Sequence, residues 1–289
     1  MELLSDTIRS AITASPGKIF NVSDLSSIES RVLGWISCCR SINETFASGK
    51  DTYKQFATRM YQIPYDQVTK KQRTFCKPPV LGGGYMLGGK GLVRYAAGMG
   101  ITMTETEATE AITVLREDWP EVVAFWQWCK DAVFYTTRTG KPFPGAHGLQ
   151  TFAHGEFLFI RLPSGRNLAY HKPEIRPIPA PWDPEKLIEA FTFMGTDTYT
   201  KKWGRISAHA GGITENIVQA VARDILATWM ARAMSSAFNV VLHVHDEIAA
   251  LEDGDRLEEL NSLIRKPISW APGLLLDAAG FLTKRYRKE

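Results

Sequence analysis

The chain has 289 residues, 44% hydrophobic and 22% charged, with 34 Lys and Arg against 31 Asp and Glu for a formal net charge of +3. That is enough length for one large or two medium cores, and the composition excludes a disordered chain. No apolar run reaches the ~18 residues of a membrane span. The N-terminal MELLSDTIRS carries an acid at Glu2 and no apolar stretch, so it does not read as a secretory signal. Cys38, Cys39, Cys76 and Cys129 show no paired spacing, which points to a reducing, cytoplasmic setting without a disulfide framework. So small a net charge does not mark a nucleic-acid binder. Cations nonetheless cluster at Lys70, Lys71, Arg73 and Lys77, at Lys201, Lys202 and Arg205, and in the terminal KRYRKE.

Taken in order, residues 18–25, KIFNVSDL, read as a strand after the turn Ser15-Pro16-Gly17. Ser26 to Glu29 matches a capping box, and Ile28, Val32, Trp35 and Ile36 continue with helical spacing. A helix is expected over 51–61 with Asp51 or Thr52 as its N-cap, and one or two more over 103–134, broken near Pro120. FLFIRLPSGRNLAY, 157–170, predicts a hairpin. The apolar spacing from Ile213 to Met230 predicts a long helix over 212–237. VVLHVHDEIAALE, 240–252, reads as two short strands meeting at His245-Asp246. Strands at both ends with helices between indicate an α+β fold with an inserted helical lobe.

The glycine-rich RTFCKPPVLGGGYMLGGKG, 73–91, invites a phosphate-loop reading. Gly84 to Lys90 fits most of G-x-x-x-x-G-K-[ST], but Gly91 stands where a hydroxyl is needed and no apolar strand precedes it. The dinucleotide spacing G-x-G-x-x-G is not met either. Read as a helix instead, Arg73, Lys77, Leu81 and Tyr85 stand four apart and share one face. An arginine suits bidentate phosphate contact and a lysine acts as a point charge; the plain reading is an exposed basic flank. Pro78 is expected to kink this helix. Among the acids, Asp24 ends a strand and Asp246 sits at a hairpin tip beside Glu247. Carboxylates without soft ligands suit Mg²⁺, though each alone also reads as a helix-start acid or a polar turn. His243 and His245 share a strand face, but no third ligand has zinc spacing.

Together these motifs resemble the polymerase core of family A DNA polymerases, the bacterial DNA polymerase I type and most closely their phage relatives. DLSSIESRVLGW resembles motif A, RTFCKPPVLGGGY motif B, and VHDEI motif C, while ENIVQAVARD is similar to the helix before motif C. The resemblance spans nearly the whole chain and implies an antiparallel-sheet palm, residues 1–45 and 205–289, with mostly helical fingers inserted over 46–204. It implies a DNA-directed DNA polymerase in which Asp24 and Asp246, helped by the carbonyl of Leu25, bind two Mg²⁺ ions, with Mn²⁺ as an alternative metal. Arg73 and Lys77 grip the incoming dNTP, and Lys77 protonates the pyrophosphate. Tyr85 checks the nascent pair, and Glu29 excludes ribose. Gln219, His245 and Glu247 line the primer terminus and the minor groove of the primer-template DNA. Leu81 stands where the family has Phe or Tyr, near the incoming sugar. Motif A begins about twenty residues from Met1, so thumb, first palm strands and exonuclease are expected to be absent. A separate chain is expected to supply thumb and remaining palm, with or without a 3′–5′ exonuclease. The competing readings are a single-subunit RNA polymerase fragment, which lacks the acidic gate that Glu29 offers, and a non-catalytic module derived from a polymerase.

Overall fold

The computed structural model describes residues 9–180, 183–198 and 200–286. Most of the N-terminal stretch and the last three residues of KRYRKE lie outside the described residues. The chain divides into two compact units, residues 1–31 with 221–289, and residues 32–220. The fold is α+β, each unit being built around one antiparallel sheet. No helix of the described residues is long and apolar enough to cross a membrane.

In the first unit, strand β1 (Ile19–Leu25) is central in a four-stranded sheet. Its sequence, IFNVSDL, is buried from Phe20 to Ser23, on both faces and through polar and apolar residues alike. The buried polar groups are satisfied, as they must be. Asn21 donates to the Gly254 carbonyl and accepts from the Arg256 N–H at 2.8 Å, and the Ser23 hydroxyl bonds Asn261. Helix α1 (Ile28–Ile36) follows at once. It starts one residue later than the capping box requires, because Ser27 has φ 53° rather than the extended backbone of an N-cap.

In the second unit, helices α2 (Arg40–Ala47) and α3 (Thr52–Tyr61) precede a broken pair, α4 (Lys70–Phe75) and α5 (Lys77–Gly83). The side chain of Asp51 caps α3, accepting from the Lys54 N–H at 2.8 Å. Helix α6 (Gly89–Gly98) then packs with α7 (Glu105–Asp118) around Leu92, Ala96, Ala108, Ala111 and Ile112. Pro120 opens α8 (Pro120–Thr139) at a position where a helix tolerates proline, so the break falls where the sequence placed it.

The same unit holds a six-stranded sheet, β2 (Phe143–Pro144), β3 (Gln150–His154), β4 (Phe157–Arg161), β5 (Asn167–Ala180), β6 (Asp183–Thr196) and β7 (Trp203–Ala208), in chain order. The β4–β5 hairpin is the expected one, but β5 and β6 run fourteen residues each. Strand β4 pairs β5 only over Asn167 to His171, and β7 pairs β6 only from Phe191 on. The remainder of β5 and β6 is a two-stranded ribbon carrying Pro173, Pro177, Pro179 and Pro184. Proline is tolerated on such open edges and blunts them against foreign pairing.

Helix α9 (Ala210–Ser235) has residues in both units. The first unit closes with the hairpin β8 (Val240–Val244) and β9 (Glu247–Glu252), helix α10 (Leu257–Arg265) and β10 (Ala278–Thr283), giving the sheet order β10-β1-β9-β8. The buried Trp229 indole donates to the Leu260 carbonyl at 3.0 Å, tying α9 to α10. All four cysteines are free thiols; burial pushes those of Cys39, Cys76 and Cys129 up to about 12.

Candidate functional site

The acids stand at one end of the four-stranded sheet. Asp24 is the penultimate residue of β1 and is exposed, although Phe20 and Val22, which share its face, are buried; the carboxylate comes into the open because it stands at the end of the strand, past the covered part of that face. In register, Asp24 lies opposite Glu247. The next link is direct, the Leu25 N–H donating to the Asp246 carbonyl at 3.0 Å. The backbone thus fixes the two aspartate-bearing segments beside each other. His245, with φ 53°, and Asp246 make the two-residue turn between Val244 and Glu247. His245 is exposed and Asp246 half-buried. The Glu247 carboxylate accepts from the buried Tyr286 hydroxyl, and burial followed by this bond raises the phenol above its ordinary value. Glu29, half-buried, lies in the first turn of α1. Arg31 ties the start of that helix down, its guanidinium donating to the carbonyls of Ser26 at 2.7 Å and Leu275 at 2.9 Å.

Among the described residues no group of three or more His, Cys, Asp or Glu is placed to hold a metal ion. Magnesium does not require one. It binds through one or two carboxylates, keeps waters and takes oxygens from substrate phosphates. Two aspartates on adjoining backbone, with carbonyls nearby and no thiolate, are a donor set that fits it.

The cations stand in the second unit. Arg73 is in α4 and Lys77 begins α5, the helix being broken at Cys76. Tyr85 follows α5 in a turn, so the single helical face expected for Arg73, Lys77, Leu81 and Tyr85 is not formed as one helix. Pro78 and Pro79 explain the break and are accommodated by it. They occupy the first turn of α5, where backbone N–H groups have no intrahelical partner to lose. Arg73 is not idle. Its Nε and one terminal nitrogen donate to Asp51 Oδ2 at 3.0 and 2.5 Å, and these bonds hold the guanidinium above its ordinary value. The Tyr53 ring lies 5.2 Å from the Arg73 guanidinium and 5.9 Å from the Lys77 ammonium. Asp51 and Tyr53 were not among the expected site residues. The cap signal found the first; nothing local tells that its second oxygen faces α4.

Several of the glycines are required by packing. A Cβ on Gly83 would come 2.7 Å from Leu115, and one on Gly84 2.5 Å from Leu33, so glycine at these positions lets neighbouring side chains approach the backbone. The Gly84 carbonyl accepts from the buried Trp126 indole at 2.8 Å. A Cβ on Gly211 would stand 2.1 Å from the Tyr85 carbonyl, so the first turn of α9 touches the Tyr85 backbone directly. Leu81 and Tyr85 are half-buried, and Gln219 is exposed on α9.

The chain thus carries acids at one end of an antiparallel sheet and, in its other unit, Arg73 and Lys77 on consecutive helices, and its fold is that of a polymerase domain. The POL domain of Pol1 from M. smegmatis, solved in complex with DNA primer-template and dNTP, superposes with a TM-score of 0.61 at 19% identity, over 96% of this chain and 42% of that one. Residues 2–139 match the family described as DNA polymerase family A. The DNA polymerase of Bacillus phage SP02 is 35% identical over 292 residues, covering 99% of this chain and 44% of the phage protein. DNA polymerase I B, mitochondrial, of Oryza sativa subsp. japonica is 37% identical over 65 residues, 22% of this chain and 6% of that protein. The chain is similar to the family A DNA polymerases along nearly its whole length, and it spans less than half the length of the phage relative.

Proposed function

We propose that this chain carries the nucleotidyl-transfer centre of a template-directed DNA polymerase, with residues 1–45 and 205–289 as palm and 46–204 as fingers. The observation that carries the reading is the backbone link from Leu25 to Asp246, which sets two motif aspartates side by side at one sheet end. Asp24 and Asp246, with the Leu25 carbonyl, would hold two Mg²⁺ ions. Such ions, when bound, supply positive charge to the triphosphate and acidify the primer 3′-hydroxyl. Arg73 binds phosphate oxygens through its planar fork, and Lys77 adds a compact charge and the proton that the departing pyrophosphate takes. Tyr85 and Leu81 contact the nascent pair and its sugar. Glu29 closes the 2′ position against ribose. Gln219, His245 and Glu247 face the primer end of the primer-template DNA.

Primer extension tests this, run with the chain alone and with the complementing part of a polymerase on a separate polypeptide. Extension by the Asp24→Asn or Asp246→Asn protein at the wild-type rate would sink the assignment. Full, stable activity of the chain alone would sink the idea that a separate chain completes it. The dNTP-over-NTP preference of Glu29→Ala checks the gate: unrelaxed rejection of ribonucleotides removes Glu29 from that role.

A further inference from the structure

Helix α8 covers one face of the six-stranded sheet. Thr151, Leu158, Ile160 and Tyr170 are buried, and α8 packs there, the hydroxyls of Thr136 and Thr151 meeting at 2.6 Å. An antiparallel sheet with one covered face ordinarily carries polar residues on the other. Here the opposite face is aromatic. By strand register, Phe152 is opposite Phe159, and Phe157 is opposite His171. The rings form an unbroken path: Phe152 to Phe159 at 5.2 Å, Phe159 to Phe157 at 5.7 Å, Phe157 to His171 at 4.9 Å, and His171 to Trp203 at 6.3 Å between centroids. Trp203 is 63% exposed and Phe157 38%. The path runs from half-buried rings, Phe152, Phe159 and His171, to exposed ones, Phe157 and Trp203, and lies on the face opposite the core formed with α8.

Charge identifies the occupant. Glu156 is paired with Lys172 at 3.4 Å and lies 3.6 Å from His171, and Glu174 is paired with Arg176 and Arg205 at 2.5 and 2.7 Å. Three cations near the ends of the ring path make no ion pair among the described residues. Arg161 stands 5.6 Å over the Phe152 ring at one end of the path, and Lys201 and Lys202 immediately precede Trp203 at the other. Flat rings between unpaired cations match the two chemistries of an unstacked strand, bases with exposed π-faces and a phosphate backbone. A protein partner would need acidic side chains spaced to meet cations at both ends of the path, whereas a nucleic-acid strand carries its phosphates at every step.

We propose that this face is a stacking platform for single-stranded nucleic acid. It would take the unpaired template strand, an identification of the strand that rests on the polymerase reading; the platform itself does not. Binding is set by ring stacking and is tolerant of sequence, with the cations making it salt-dependent.

The test is fluorescence anisotropy of a labelled oligothymidylate of about twelve nucleotides, with the full chain in EDTA and no dNTP. Trp203→Ala and Phe157→Ala each weaken binding by roughly five- to a hundredfold, the range alanine substitution gives at stacked bases, and Trp203→Phe restores much of the loss. Replacing Lys201 and Lys202 together by Gln flattens the log K against log salt slope by roughly 1.4. Thermal melts of each variant separate loss of the platform from loss of fold. Wild-type affinity in both folded alanine variants overturns the proposal. So does a change in oligomeric state by light scattering with oligonucleotide binding intact, which would make the face a protein contact. Asp24→Asn, which ends extension but leaves oligothymidylate binding unchanged, keeps this inference separate from the catalytic one.

Discussion

The acids and the cations of this chain are held by opposite means. Asp24 and Asp246 are set by backbone: β1 is laddered on both sides, and its end is bonded to the Asp246 carbonyl. Arg73 is set by a side chain, Asp51, from a six-residue helix that ends one residue before the next begins. A ladder hydrogen bond cannot be traded for one to a ligand without opening the sheet. A carboxylate on an arginine can be traded for a phosphate, which offers the same planar fork the same geometry. On the proposed function the acidic end would be ready before any substrate arrives, and the cationic end would exchange partners when one does.

The largest effect expected is at the fixed end. Asp24→Asn or Asp246→Asn lowers the rate of primer extension by at least about a thousandfold, since metal and charge stabilisation supply most of phosphoryl-transfer catalysis. Trp126→Phe removes the one indole that answers the buried Gly84 carbonyl. Stability in urea falls by roughly 1–3 kcal/mol, the cost of an unsatisfied buried acceptor. Arg73→Lys keeps the charge and loses the fork; KM for dNTP rises about tenfold. Asp51→Asn is the sharpest probe of the comparison, because asparagine still caps α3. Losing a half-exposed ion pair is worth about 0.2–1 kcal/mol, so KM for dNTP falls by up to about fivefold as the competing carboxylate disappears. A rise in KM instead would make Asp51 a positioning residue for Arg73, and the comparison would fail.

The smallest effect concerns pH. A hydrogen bond from Arg176, then the charges of Arg176 and Arg205, hold the Glu174 carboxyl below its ordinary range. Because the folded value is the lower one, the contribution is complete above the unfolded value of about 4.3 and is lost as pH falls through the folded value. Urea midpoints at about pH 5 and about pH 3 therefore differ more in the wild type than in Glu174→Gln.

What the sequence made legible was local. β1, the Asp51 cap, the Pro120 break, the long α9 and the His245-Asp246 turn each announce themselves within a few residues. The ribbon of β5 and β6 did not, because Pro173, Pro177, Pro179 and Pro184 argue against strands until one knows that those stretches have a single neighbour. Strand β10, AAGFLT, has too weak a pattern to stand out and is recruited by β1 from some 250 residues away. In the candidate site, the acids and cations were legible as motifs. Their partners were not: Asp51 faces Arg73, Tyr286 bonds Glu247, and Leu33 and Leu115 fill the room left by glycines, all across sequence gaps that periodicity does not see.

The double proline has one more consequence. A helix start is usually an anion receptor in its own right, because its first N–H groups point outward unbonded. Pro78 and Pro79 delete two of those donors at the start of α5. An anion approaching Lys77 meets few main-chain amides there and must be recognised by side-chain charge, so screening salt should weaken nucleotide capture here more than at a glycine-rich phosphate loop.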